Sequence, residues 1–164
     1  MRVIVLFCLL LVPALGFSQA PDSVSLNINA RIRSSLKDQP LQSTIALEII
    51  TDSVEFTQVL PIGEEFEFGL PFQDEYKVKF SSPGFQSKIF YFNLMTPSGT
   101  ELKKGYGMNL EIKLDPSSVV TDAELYKEPI GRASWDEKEK DVVFDQAYTT
   151  ERLKQIEESK TPKN

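Results

Sequence analysis

The sequence predicts a mostly β protein, a seven-stranded antiparallel sandwich with a C-terminal hairpin and a short helix. The first observation behind this prediction is a repeated alternation of apolar and polar residues, which is typical of strands with one buried face. The second is that turn-forming Asp, Ser, Pro and Gly residues separate these segments at short intervals. Short strands spaced in this way favour an antiparallel sandwich.

Seven segments carry the strand pattern. In the first, Val24–Ile32, the apolar residues Leu26, Ile28 and Ala30 occupy alternate positions and therefore share one face. The other six segments are Thr44–Ile50, Val54–Leu60, Phe66–Leu70, Tyr76–Phe80, Lys88–Leu94 and Met108–Leu114. Together they define a sandwich domain over residues 23–114. The roughly 144 residues that remain after signal cleavage fit one domain, which is large enough to bury a core without metal or crosslinks.

The fourth and fifth segments invite a specific pairing. A hairpin closed around Pro71–Glu75 places aromatic or apolar residues opposite one another and acids opposite lysines. The pairs in this register are Phe66 with Val78, Phe68 with Tyr76, Glu65 with Lys79 and Glu67 with Lys77. A slip of one residue would oppose charged and apolar side chains, so we expect this register.

Residues 1–20 have the order of a secretory signal peptide. Arg2 supplies a positive charge, Val3–Val12 is an apolar run, and small residues follow. The run is far shorter than the roughly 20 apolar residues of a membrane-spanning helix, so no integral membrane segment is expected after cleavage. Cleavage after Ser18 and cleavage after Ala20 both fit the pattern. The chain is therefore expected to be periplasmic or extracellular, or associated with the outer membrane through a partner.

Export changes the chemistry available to the chain. Cys8, the one cysteine, leaves with the signal peptide, and the sequence contains no histidine. The exported chain therefore lacks a Ser–His or Cys–His nucleophile, a thiol redox site and an ordinary structural zinc site. Losing Arg2 lowers the basic residues from 18 to 17 against 24 acidic ones, a net charge of −7. This charge disfavours nucleic acid and acidic lipid as partners.

The remaining patterns that could form an acid–base, calcium or phosphate site are better explained as charged residues exposed to solvent. Glu64 and Glu65 point to opposite faces of a strand, so they do not converge on a substrate as glycosidase carboxylates do. The acidic turn Asp136–Asp141 offers oxygen ligands for calcium, but it contains two lysines and no loop glycine. Gly105–Gly107 lacks the lysine and following helix of a phosphate-binding loop. We therefore expect no enzyme activity, no cofactor and no metal site.

Two motifs resemble those of a known family. Ile62–Phe68 is similar to the "G-x-F-x-F" strand of carboxypeptidase regulatory-like domains, and Tyr76–Phe85 resembles that family's "Y-x-l-x-v-s-s-x-G-y/f" strand and turn. Gln39–Leu41 lies where the family has a "g-x-P-L" loop, although no glycine precedes the proline. This resemblance implies a prealbumin-like sandwich, a seven-strand accessory module without catalytic residues of its own.

Residues 115–164 lie outside this resemblance and form a C-terminal extension. After a linker, the apolar segments Ile130–Trp135 and Val142–Phe144 predict a short hairpin around the charged turn. Thr149 or Thr150 resembles a helix N-cap, which predicts a helix to about residue 159. Its apolar stripe is narrow, since it contains only Leu153 and Ile156. Residues 160–164 are expected to be disordered.

Five residues form the candidate docking surface. Ile89 and Tyr91 point outward from a strand whose alternate residues face the core, so this apolar outer face needs a cover. The cover is either another protein or the C-terminal extension, which carries Trp135, Phe144 and Tyr148.

Two functions remain open. The first is an exported protein-interaction or structural module, an accessory part of a bacterial cell-envelope assembly that binds another envelope protein. The second is a module that binds carbohydrate or another ligand through exposed aromatic rings.

Overall fold

The computed structural model describes residues 24–41, 45–52, 55–60, 65–103 and 105–160. Within these ranges the chain forms nine strands, one α-helix and two short 3₁₀ helices. The strands are β1 (Ser25–Ser34), β2 (Ile45–Ile50), β3 (Glu55–Leu60), β4 (Glu65–Pro71), β5 (Glu75–Ser81), β6 (Lys88–Asn93), β7 (Gly107–Leu114), β8 (Gly131–Asp136) and β9 (Asp141–Phe144). The helix α1 spans Gln146–Glu158, and the 3₁₀ helices span Ser117–Val119 and Ala123–Lys127. The proposed signal peptide and Glu64 lie outside the described residues.

The strands form two sheets that enclose one core. The first sheet has the order β4-β1-β7, and the second has the order β3-β2-β5-β6-β8-β9. All seven predicted strands are present, but the strand count is nine and not seven, because β8 and β9 join the second sheet. The sheets are mixed and not wholly antiparallel, since β1 pairs with β7, and β6 with β8, in parallel.

Alternate residues of both sheets build the core. Leu26, Ile28 and Ala30 of β1 are buried, as the sequence pattern predicted. Aromatic side chains connect the sheets near β4, where the rings of Phe66 and Phe68 lie 6.3 and 6.4 Å from that of Phe80 on β5. These contacts cross the interior, so each sheet covers the apolar face of the other.

The predicted hairpin between β4 and β5 is wrong. β4 pairs with β1 in the first sheet, whereas β5 pairs with β2 and β6 in the second. The turn between them is anchored to both sheets, because the Phe72 amide donates to the Val24 carbonyl (3.1 Å) and the Gln73 amide donates to the Leu94 carbonyl (3.0 Å). Alternation predicts which face of a strand is buried, but it does not identify the neighbouring strand.

The charges that suggested the hairpin have partners on other strands. Glu65 lies 3.7 Å from Arg31 of β1, and Lys79 lies 3.0 Å from Glu48 of β2. Each ion pair therefore joins neighbours within one sheet. The side chains satisfy the same charge complementarity in a different topology, which explains why the sequence pattern was misleading.

The C-terminal hairpin is confirmed and extends the second sheet. β8 and β9 pair antiparallel, with Trp135 opposite Val142 and Asp136 opposite Asp141. The Asp136 carboxylate accepts the backbone amides of Lys138 and Glu139 at 2.8 and 3.0 Å. These two hydrogen bonds, first that from Glu139, lower the pKa of Asp136. Its carboxylate thus caps the charged turn.

Helix α1 is confirmed but begins earlier than predicted. Asp145 is the N-cap, and its carboxylate accepts the Tyr148 amide at 2.9 Å. Asp is at least as good an N-cap as Thr, so the helix is capped four residues before Thr149, the earlier of the two predicted caps. At the other end Lys160 forms a β-bridge with Val120, contrary to the predicted disorder at this residue. The remainder of that segment, 161–164, lies outside the described residues.

The two apolar residues of α1 have different environments. Ile156 is 1% exposed, whereas Leu153 is 44% exposed. We expect Ile156→Ala to lower the free energy of unfolding by about 2–3 kcal/mol, because it leaves a cavity under the helix. Leu153→Ala is the matched control on the same helix and should cost under about 0.5 kcal/mol. Urea unfolding of both variants checks this, and equal losses would contradict the docked position of α1.

Candidate functional site

A cleft of about 980 Å³ separates the edge of β7 from helix α1. Its first wall is the consecutive run Met108–Lys113 of β7, and its second wall includes Thr149, Leu153 and Ile156 of α1. Consecutive residues of a strand point alternately to its two faces. The presence of all six in one wall therefore shows that the edge of β7, rather than one of its faces, borders the cleft.

The edge of β7 that borders the cleft has no strand beside it within the described residues. On its other edge, the Asn27 amide donates to the Tyr106 carbonyl at 3.0 Å. The Ser35 amide donates to the Leu114 carbonyl at 2.8 Å. Because a parallel ladder repeats every two residues, the even-numbered residues of β7 direct their backbone groups towards β1. The backbone groups that point away from β1 belong to Gly107, Asn109, Glu111 and Lys113.

The floor of the cleft is apolar. It is formed by Phe90 of β6, Ile130 before β8 and Phe144 of β9. The rings of Phe90 and Phe144 lie 6.4 Å apart. Both rings lie beside Gly131, where an added Cβ would be 2.7 Å from the ring of Phe144 and 2.9 Å from that of Phe90. Glycine at this position therefore allows β8 to approach the two rings closely.

One end of the cleft is closed by a buried cluster of charges around Asp115. The carboxylate of Asp115 has no exposed surface, and the ammonium group of Lys88 lies 2.7 Å from its Oδ2. The hydroxyl of Tyr126 donates to the same oxygen at 3.0 Å, and Lys160 lies 3.0 Å from Oδ1. Lys160 also pairs with Glu157 of α1. The cluster therefore ties β6, the segment after β7 and the end of α1 together.

The cluster changes the protonation of its members. Burial favours the neutral form of Asp115, but Lys88, with further hydrogen bonds, outweighs burial and lowers the pKa of Asp115 to about 2. Burial also lowers the pKa of Lys88, although Asp115 opposes this. For Lys160, burial is outweighed by contacts with Glu157 and Asp115, which raise its pKa. The ammonium groups and the carboxylates neutralise one another, as a structural ion-pair network requires.

This lowered pKa predicts an acid-sensitive contribution to stability. The pKa of an unfolded Asp is about 3.9, so the contribution of Asp115 is full above pH 4 and is lost as the pH falls from 4 to 2. The difference in unfolding free energy between the wild type and Asp115→Asn should therefore shrink by about 2 kcal/mol over this interval. Chemical denaturation at pH 6, 4 and 2 checks this. A difference that stays constant with pH would contradict the ionised Asp115.

The five residues of the predicted docking surface do not form a single surface. Trp135 and Phe144 lie on the inner face of the β8–β9 hairpin. The ring of Trp135 packs edge-on against Phe72 and Tyr106, at 5.9 and 5.8 Å. Phe144 packs against Phe90 and lines the cleft. These two aromatic residues therefore attach the hairpin to the core.

Ile89, Tyr91 and Tyr148 lie on the other side of the second sheet or at its rim. The hydroxyl of Tyr91 donates to Glu75 at 2.6 Å, and burial, together with this carboxylate, raises the pKa of Tyr91 to about 12. The guanidinium of Arg132, an exposed residue of β8, lies 3.9 Å from the centre of the Tyr148 ring. The C-terminal extension thus reaches this outer face mainly through Arg132 and Tyr148.

Sequence reasoning did not identify the cleft or its charged end. Lys88 occupies the same phase of β6 as the buried residues Phe90 and Phe92, and this inward lysine was the available signal. A lysine at a core position requires a buried acid. Asp115 precedes Pro116 and two serines, a composition typical of a linker, so its neighbours in the sequence do not indicate a buried acid. The alternation of apolar and polar residues does not indicate the cleft beside β7, because the cleft depends on which strands are neighbours.

The described part of the chain contains no cluster of three or more acidic, histidine or cysteine side chains placed to hold a metal ion. It also contains no helix with the length and apolar character needed to cross a membrane. Comparisons of the chain with protein-family models, with curated proteins and with solved structures found no match. The resemblance to carboxypeptidase regulatory-like domains therefore stays a prediction.

Proposed function

We propose that this chain is an exported, non-enzymatic protein-interaction module that serves as an accessory part of a cell-envelope assembly. The observation that carries the proposal is the cleft beside β7, where a strand edge with no neighbour among the described strands faces an apolar floor. Unpaired edges invite association with another chain unless they are blocked. β7 has eight residues without proline, whereas the edge strand β9 has four and β4 ends in Pro71.

Two further observations support binding rather than catalysis. The titratable groups with shifted pKa values at the cleft are Asp115, Lys88 and Lys160; both lysines form ion pairs with Asp115, so the three groups act as structural ties. Trp135 and Phe144 pack against neighbouring rings instead of forming a flat exposed row on which a sugar could stack. Export itself rests on the signal-peptide pattern of residues 1–20.

The architecture suits an accessory module. We propose that β1 to β7 constitute a prealbumin-like sandwich, with β4-β1-β7 facing β3-β2-β5-β6, and that β8, β9 and α1 are an addition to it. The addition creates the cleft, because α1 and β9 supply the wall and part of the floor that face β7. On this proposal the C-terminal extension converts a common scaffold into a binding element.

Site-specific photocrosslinking in the native envelope tests the proposed function. A photoreactive phenylalanine analogue replaces Asn109 at the edge of β7, and a control replaces Lys77, an exposed residue of β5 remote from the cleft. We expect a discrete protein adduct from position 109 and none from position 77. Equal background at both positions, together with binding of the purified protein to a glycan array, would favour a carbohydrate-binding module instead.

A further inference from the structure

We propose that the cleft binds an extended segment of a partner protein, which adds to β7 as a fourth strand of the first sheet. This inference rests on the proposed function and specifies the chemistry of the partner. The segment carries apolar side chains at alternate positions and an acidic residue beside Lys113. Each of these features follows from a separate property of the cleft.

The first property is the repeat of the backbone groups that point away from β1, beside which the described part of the chain places no strand. Asn109, Glu111 and Lys113 each direct an amide and a carbonyl away from β1, two residues apart along the edge. In a strand this repeat is about 7 Å, and another extended polypeptide presents donors and acceptors with the same repeat. A strand is therefore the natural complement of this edge, as in other proteins that bind peptides by strand addition.

The second property is the size of the cleft. Six residues of β7 form its wall, so a matching segment is about 20 Å long at 3.3 Å per residue. A strand beside β7 takes about 4.8 Å of width and about 10 Å of depth between packed sheets. Together these dimensions give a volume of about 1,000 Å³, and the cleft measures about 980 Å³. The cleft therefore accommodates one strand.

The same dimensions argue against a second copy of this chain as the occupant. The β7 of a second copy would bring its own β1 alongside, about 4.8 Å beyond the added strand. On that side of the cleft lies α1, whose Thr149, Leu153 and Ile156 form the far wall. A single extended segment can enter between β7 and α1, whereas the edge of a folded sheet cannot.

The third property is the chemistry of the two faces. Side chains of an added strand that point inward meet Phe90, Ile130 and Phe144 on the floor and Leu153 on the wall, so these positions require apolar residues. Side chains that point outward lie beside Glu111 and Lys113, which are exposed. An amphipathic strand with an apolar residue at every second position satisfies both faces.

The outer face at this edge of the sheet carries more positive than negative charge. Arg33 of β1 forms an ion pair with Glu111, and Lys113 lies 4.0 Å from the same carboxylate. Two cations therefore share one acid on the outer face of the sheet. An acidic residue on the added strand opposite Lys113 completes a cross-strand ion pair, and a basic residue at that position would be repelled.

The test begins with a library of random twelve-residue peptides selected against the purified exported protein. We expect enriched peptides with apolar residues at alternate positions and an acid between two of them. One such peptide is then synthesised with single N-methyl groups at successive residues. Binding should fall roughly tenfold or more at every second position and change little between them, because alternate amides donate to β7. Enriched peptides without alternation, or a uniform response to N-methylation, would overturn the proposal.

A pair of protein variants locates the binding site. Leu153→Arg places a long charged side chain in the cleft, and Val143→Arg places the same side chain on the outer face of β9. These positions are 44% and 42% exposed, so both variants should fold. We expect Leu153→Arg to abolish peptide binding and Val143→Arg to retain it. If position 109 crosslinks to a protein but both variants bind peptide equally, the interaction function survives and strand addition fails.

Discussion

Replacing Asp115 with Asn is expected to lower the free energy of unfolding by about 3–5 kcal/mol, which is the range for breaking a buried ion pair. The substitution keeps the shape of the side chain but removes its charge. Lys88, whose side chain is 5% exposed, is then left as a buried cation without its acid. Lys160 and Tyr126 lose the same partner. Urea unfolding monitored by circular dichroism at pH 7 measures the loss.

Two further variants separate the buried charge from other effects of this substitution. Glu158→Gln removes an exposed carboxylate from α1 and should change stability by less than about 0.5 kcal/mol. Adding Lys88→Met to Asp115→Asn removes the stranded cation and should restore part of the loss, since an apolar replacement of a buried ion pair is tolerated. A double variant as unstable as the single one would show that the cost does not come from Lys88.

Replacing Phe80 with Ala is expected to lower the free energy of unfolding by about 3–5 kcal/mol through the cavity it leaves. Phe80 is fully buried, and its ring contacts Phe66 and Phe68 of the opposite sheet and Phe90 of its own. The variant thus removes the side chain that joins the two sheets. Since a domain is stable by only about 5–15 kcal/mol, a substantial unfolded fraction could accumulate at 37 °C.

Val59→Ala provides the control for this prediction. Val59 lies on the edge strand β3 and is 64% exposed, so its truncation should cost less than about 0.5 kcal/mol. Thermal unfolding of both variants checks the pair. Similar losses at the two positions would contradict the contact between sheets that Phe80 makes in this fold.

The positions and buried faces of the strands could be predicted from sequence because they depend on local alternation. The partners of the strands could not. Glu65 and Lys79 suggested a β4–β5 hairpin, yet they pair with Arg31 and Glu48 on other strands. Opposite charges allow several pairings, and the choice among them depends on how the turn near Phe72 crosses between sheets.

The C-terminal extension illustrates the same limit. The alternation around Trp135 predicts its hairpin. It does not predict that β8 pairs with β6, because two parallel strands are not joined by a short turn that the sequence would show. The cleft depends on that addition and on the position of α1. The charged end of the cleft could have been predicted in part from Lys88, because a lysine at an inward-facing position of a strand requires a buried acid.

Residue-resolved amide hydrogen exchange of the purified protein measures most directly whether the edge of β7 is open. In the free protein, the amides of Asn109, Glu111 and Lys113 should exchange roughly tenfold or more faster than those of Leu110 and Ile112, which donate to β1. Adding a peptide that binds in the cleft should slow the exchange of these three outward amides selectively. Uniform protection along β7 in the free protein would show that its edge is already paired, and would contradict the account.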